Sequence, residues 1–138
     1  MSQLEWSDEF KLGLPAIDAD HRDLLELCNE FLAAAQTGSA ISQLAAILDR
    51  LVLRTRAHFV AEERLLDRHG YPGLAMHKAE HDRLLAQADN LKVRFSDPAE
   101  GQDTHRLTGE AADFLRFWLF DHIRTNDRPY QPFIRRLV

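Results

Sequence analysis

Two residue pairs, His58 with Glu62 and His77 with His81, have the types and the spacing to hold a metal ion. Side chains four apart share one face of an α-helix, and imidazole nitrogens with carboxylate oxygens suit first-row divalent cations in general. Taken alone, a His/Glu pair at this spacing is ordinarily a surface ion pair or a capping arrangement. That explanation fails here, because both pairs fall where a helix should present its apolar seam. An isolated buried carboxylate or imidazolium costs several kcal/mol unless something compensates it, and a metal ion is the obvious compensating charge.

The elements that must position these residues follow from apolar residues at helical spacing, interrupted at turn formers. A first helix is predicted from the candidate N-cap Asp18 to just before Gly38, and a second from after Ser39 to Gly70. A third follows the turn GYPG and ends around Phe95; the loop SDPAEGQD leads to a fourth, capped by Asp103 or Thr104. Short connections force neighbouring helices to run antiparallel. With no β-type alternation, repeat or low-complexity tract, the expected fold is all-α. It is an antiparallel up-down-up-down four-helix bundle with an N-terminal loop, one domain over residues 1–138.

Stepping by threes and fours along each seam gives His21, Leu24, Cys28, Phe31 and Ala35 in the first helix. The second gives Leu44, Leu48, Leu51, Thr55, His58, Glu62, Leu65 and His69; the third gives Leu74, His77, His81, Leu84, Ala88, Leu91 and Phe95. The fourth supplies Leu107, Ala111, Phe114 and Trp118, with His122 one turn on. In an antiparallel bundle the start of the first helix, the end of the second, the start of the third and the end of the fourth share one end of the molecule. Five of the seven histidines therefore meet in one layer with Glu62, while the other half of each seam is apolar. His69, beside the Gly70 stop, and His105, at the opposite end, are excluded as ligands. Cys28 reads as a small core residue, and Tyr71 and Pro72 as turn residues.

Composition removes other classes of function. The net charge of -5 gives no electrostatic reason for nucleic acid or an anionic membrane surface as a partner. One cysteine excludes an intrachain disulfide, and the N-terminus MSQLEWSDEF has no signal-like segment. The expectation is a soluble cytoplasmic protein.

The histidine in IDADHR, then H-x3-E, H-x3-H and H-x4-D in HIRTND, together resemble the hemerythrin family in its bacterial single-domain form. The similarity runs from Trp6 to the C-terminal segment. The resemblance adds Asp127 to the ligands. It implies two iron ions in a non-haem diiron centre, one held by His77, His81 and His122, the other by His21 and His58. Glu62 and Asp127 would bridge them together with an oxo or hydroxo group. Six ligands on one iron and five on the other leave an open position, which implies reversible dioxygen binding by a carrier, store or delivery module. Phe59, Trp118, Leu119 and Ile123 are the implied walls of the gas pocket. Two other roles stand beside this: a sensor of oxygen, nitric oxide or redox state acting through a protein partner the sequence does not name, and a diiron oxidase or peroxidase-type enzyme. Histidine-rich ligation favours binding over iron oxidation and leaves slow peroxidatic turnover open. Iron, as opposed to zinc or manganese, rests on the resemblance.

One spacing breaks the regularity. Residues four apart are about 40° out of alignment on an α-helix, whereas His122 and Asp127, five apart, are about 140° out. Regular α-helix is therefore predicted to widen into a π-type turn or to stop between His122 and Arg128. Pro129 favours stopping, because it disfavours helical backbone at Arg128.

Overall fold

A computed structural model of the protein describes residues 4–97, 101 and 103–137, without the side chains of Glu9, Leu119, Asn126 and residues 135–137. Four long helices, α1 (Pro15–Gln36), α2 (Ile41–Arg68), α3 (Leu74–Ser96) and α4 (Thr104–His122), form the expected bundle. A 3-10 turn, Asp8–Phe10, lies in the N-terminal loop, and no strand occurs among the described residues. After α4 the chain continues through a π-helical turn (Ile123–Asp127), a 3-10 turn (Arg128–Tyr130) and a short helix, α5 (Gln131–Leu137).

The helix boundaries follow local chemistry, with one correction at the first. Helix α1 begins at Pro15, not near Asp18, since proline has no N–H to satisfy and its φ is preset for a helix. The Asp18 carboxylate instead accepts hydrogen bonds from the Leu12 and Gly13 amides, at 2.8 and 3.0 Å, fastening the N-terminal loop to α1. Gly70, at φ 67°, turns the chain out of α2 in a conformation that side chains disfavour. Between the two N-cap candidates of α4, Asp103 fills the role: its Oδ1 accepts from the His105 and Arg106 amides, both at 3.1 Å. Pro98, Ala99, Glu100 and Gln102 of the preceding loop lie outside the described residues.

Antiparallel neighbours are laced at the surface by Arg50–Glu30 and Arg54–Asp23 between α1 and α2, Arg56–Asp89 between α2 and α3, and Arg94–Glu110 between α3 and α4. Such exposed pairs contribute little energy; burial holds the bundle. Leu24, Cys28, Phe31, Leu44, Leu48, Leu51, Leu84, Leu91, Phe95, Leu107, Ala111 and Leu115 form one dry core. The observed seams drift from the expected ones near helix ends: Leu66 is fully buried and Leu65 only partly, and Leu115 is buried more deeply than Phe114. A straight helix has 3.6 residues per turn, so a strict three-and-four stepping slips off the buried face.

A second apolar cluster was not expected. Leu12, Ile17, Leu66, Tyr130 and Ile134 pack together beyond the histidine layer, which is thereby enclosed between two apolar regions. This closure also explains why helical backbone persists past Pro129. Arg128 keeps α-region angles (φ −56°, ψ −38°), contrary to the stop that Pro129 favoured. Burial of Tyr130 and Ile134, each 0% exposed, outweighs the local preference.

Candidate metal centre

All seven expected ligands converge in the enclosed layer. His21, His58, Glu62, His77, His81, His122 and Asp127 are each at most 4% exposed. They form two groups in which one ligand atom per residue lies within 4.8 Å of every other: Glu62, His77, His81, His122 and Asp127, and His21, His58, Glu62 and Asp127. The carboxylates belong to both. Their two oxygens are divided between the groups. Glu62 Oε1 lies 2.5 Å from His77 Nε2 and 3.1 Å from His81 Nε2, while Oε2 lies 3.3 Å from His58 Nε2 and 3.9 Å from His21 Nε2. Asp127 Oδ1 lies 3.0 Å from His77 Nε2 and 2.9 Å from His122 Nε2, and Oδ2 lies 3.2 Å from His21 Nε2.

The fit to cations is visible in what remains unpaired. The ring nitrogens of His21, His58 Nε2 and both Asp127 oxygens are buried without an aligned hydrogen bond. Buried polar atoms left in this state cost about 1–3 kcal/mol each, and in native folds they mark a binding function or a missing ion. Atoms at these separations that do not aim at one another fit ligation of a shared centre.

Asp127 reaches the layer because α4 widens. The π-helical turn Ile123–Asp127 begins directly after His122, and its wider spacing brings positions five apart onto one face. Of the two expected distortions, widening is the one observed.

Two carboxylates orient imidazoles from outside the layer. Asp20 Oδ2 lies 2.9 Å from His58 Nδ1, and Glu63 Oε2 lies 2.8 Å from His81 Nδ1. An ionised carboxylate only accepts, so Nδ1 carries a proton in both rings and Nε2 is the nitrogen turned to the layer. Phe59 lies flat against His81, with ring centroids 3.7 Å apart and an interplanar angle of 2°. Tyr130 donates its hydroxyl to Glu62 Oε2 at 3.2 Å. Sequence reasoning missed Asp20, Glu63 and Tyr130. The first two are sequence neighbours of ligands and could have been found by asking which acids flank them; Tyr130 carried no periodic signal.

The charges are strongly coupled. Burial by itself would lower the His58 and His77 pKa values, but Glu62, as hydrogen-bond acceptor and as charge, together with the negative charge of Asp127, and with Asp20 accepting from His58, raises both to about 9. Burial works against the carboxylates as well, yet Glu62 is held well below the usual range by His58, His77 and His81, and Asp127 falls to about 2 beside His122 and His21. His58 and His77 are thereby the cationic partners of the two carboxylates.

Of the expected gas-pocket residues, Phe59, Trp118 and Ile123 are buried. Trp118 also lines a cleft between α3 and α4 that reaches His122. The Leu119 side chain lies outside the described residues.

Fold and layer together define a four-helix bundle built around a histidine- and carboxylate-lined cation site. Residues 12–134 match the family model described as "Hemerythrin HHE cation binding domain", and the chain belongs to the hemerythrin family. It is 34% identical to the bacteriohemerythrin of Stenotrophomonas maltophilia over 94% of this chain and 80% of that protein. It is 33% identical to that of Clostridium acetobutylicum over 91% and 96%. A crystal structure of wild-type hemerythrin superimposes with a TM-score of 0.81 at 30% identity, covering 95% of this chain and 97% of that one.

Proposed function

We propose that the layer holds two iron ions and that the protein binds dioxygen reversibly, as a carrier, store or delivery module. The observation that carries this reading is the division of oxygens: Glu62 and Asp127 each turn one oxygen toward the three-histidine group and the other toward the two-histidine group. A carboxylate serving a single ion has no need of that arrangement. When bound, a ferrous pair supplies the electrons and the coordination position that dioxygen binding requires.

The chain's own residues do the rest. His77, His81 and His122 fill one side more completely than His21 and His58 fill the other, so the incomplete side is where a small molecule enters. Glu62 and Asp127 offset part of the cationic charge in a region from which water is excluded. Asp20 and Glu63 hold the His58 and His81 rings in the tautomer that presents Nε2. Phe59, Trp118 and Ile123 keep the surroundings apolar, which disfavours release of charged oxygen species and so favours reversibility. No helix among the described residues is long and apolar enough to cross a membrane. We assign the protein to the cytoplasm, where a free thiol such as Cys28 is stable.

The test is anaerobic reconstitution with ferrous iron, followed by absorption spectra before oxygen, after oxygen and after its removal under vacuum. About two irons per chain and a spectrum that returns to the deoxygenated form are expected. Saturation at one iron overturns the two-metal reading, and irreversible conversion to the oxidised form overturns the carrier reading.

A further inference from the structure

The ligand sets are unequal, and Glu62 sits at the point where the inequality matters. Its Oε1 has His77 and His81 at 2.5 and 3.1 Å, whereas Oε2 has His58 and His21 only at 3.3 and 3.9 Å. A carboxylate drawn more strongly on one side is free to rotate and give both oxygens to that side. One further group touches Oε2 at hydrogen-bond distance: the Tyr130 hydroxyl, at 3.2 Å. The Tyr130 ring is fully buried, with its centroid 5.5 Å from that of His77 and 6.1 Å from that of Tyr71, so the hydroxyl has little freedom to leave.

We infer that Tyr130 is a positioning residue that keeps Glu62 extended between the two groups and so sets the affinity of the two-histidine position for its metal. This rests on the two-metal reading above. Tyr130 touches the carboxylate and not the proposed cations, so its removal should act on one metal and spare the other.

The experiment is a stepwise anaerobic titration of wild type, Tyr130→Phe and Gln131→Ala with ferrous iron alone, with bound metal counted after gel filtration and folding checked by circular dichroism. Gln131 donates to the Leu12 carbonyl at 2.6 Å and controls for docking of the same segment. Wild type and Gln131→Ala should bind two irons. Tyr130→Phe should bind the first normally and the second roughly 10- to 100-fold more weakly, the effect usual for loss of an outer hydrogen bond to a ligand. Should wild type bind fewer than two, the two-metal reading itself fails. With wild type at two, the inference is overturned if Tyr130→Phe matches it, if both affinities fall together, or if Gln131→Ala loses the second iron equally. Should Tyr130→Phe not fold, Tyr130→Leu is titrated in its place: it fits within the volume of the buried ring and has no donor for Glu62, and equal two-iron binding there overturns the inference.

Discussion

Replacing Glu62 by alanine removes the anion on which the layer depends, and the consequence can be worked out from its contacts. Glu62 faces His58, His77 and His81 within 3.3 Å and accepts from Tyr130 at 3.2 Å, all buried. His58 and His77 owe much of their elevated pKa to it. Its loss leaves two buried imidazoles that must either remain charged beside Asp127 alone or give up their protons, and it orphans the Tyr130 hydroxyl. Breaking a buried pair by deleting one partner costs roughly 3–5 kcal/mol. For a chain of this length that is a fall in melting temperature of roughly 10–15 °C. Thermal unfolding of chelator-treated wild type and Glu62→Ala measures the cost, and iron content after reconstitution should drop to about one per chain or below. A melting temperature within about 2 °C of wild type, together with full iron content, would refute both the electrostatic account of the layer and the bridging role.

The metal-free fold should have an unusual pH profile. His58 and His77 are raised from 6.5 to about 9, so their contribution is fully present below pH 6.5 and is lost as pH rises through 9. Asp127 is lowered from 3.8 to about 2, so its contribution is present above pH 3.8 and is lost as pH falls toward 2. Chemical denaturation of chelated protein should therefore show greatest stability in mildly acid solution, and a maximum above neutrality would contradict the charge balance. Loading at pH 7 should release protons, detectable with an indicator dye in weak buffer, because cations displace the protons that His58 and His77 hold; loading without proton release would contradict the charge assignment. Glu63→Gln should leave the fold intact and weaken metal affinity roughly 10-fold or more, since a neutral amide holds the His81 tautomer less firmly; a competitive chelator titration reads this directly. Phe59→Ala should cost roughly 3–5 kcal/mol in unfolding and speed autoxidation of the loaded protein, because it opens space beside His81; unchanged autoxidation would leave Phe59 a packing residue only.

What was legible in the sequence was whatever obeys a local period. Helix α2 presents His58 and Glu62 on the face that carries Leu44, Leu48 and Leu51, and the same stepping puts His77 and His81 in line with Leu84 and Leu91. The antiparallel order then fixed which ends meet. Asp127 lay outside that logic and came from the family resemblance, although its five-residue offset from His122 was enough to require the distortion that the π-helical turn supplies. Contacts that close the ends of the chain were not legible. Tyr130 meets Glu62 across 68 positions and Gln131 meets the Leu12 carbonyl across 119, and no periodicity records such pairings. The start of α1 was misplaced for a related reason: Asp18 has the chemistry of a cap, and its carboxylate does bind backbone amides, but those of the loop before the helix.

The enclosure of the layer accounts for how one small bundle tolerates seven buried ionisable side chains. A polar layer at an open bundle end would be hydrated, its charges screened and its imidazoles free to find water. Here Leu12, Ile17, Leu66, Tyr130 and Ile134 cover that end, and the leucine and phenylalanine core lies on the other side. The cover is built from the N-terminal loop and the start of α1, the end of α2 and the segment after α4, and this last part also delivers Asp127 and the Tyr130 hydroxyl. Excluding water and completing the ligand set are therefore achieved by the same segment. The π-helical turn makes this possible: it rotates the chain after His122 enough to aim Asp127 inward, and the continuing helical path then brings Tyr130 and Ile134 over the layer. An α-helix that simply ended at His122 would leave the site without its second shared carboxylate and without its cover.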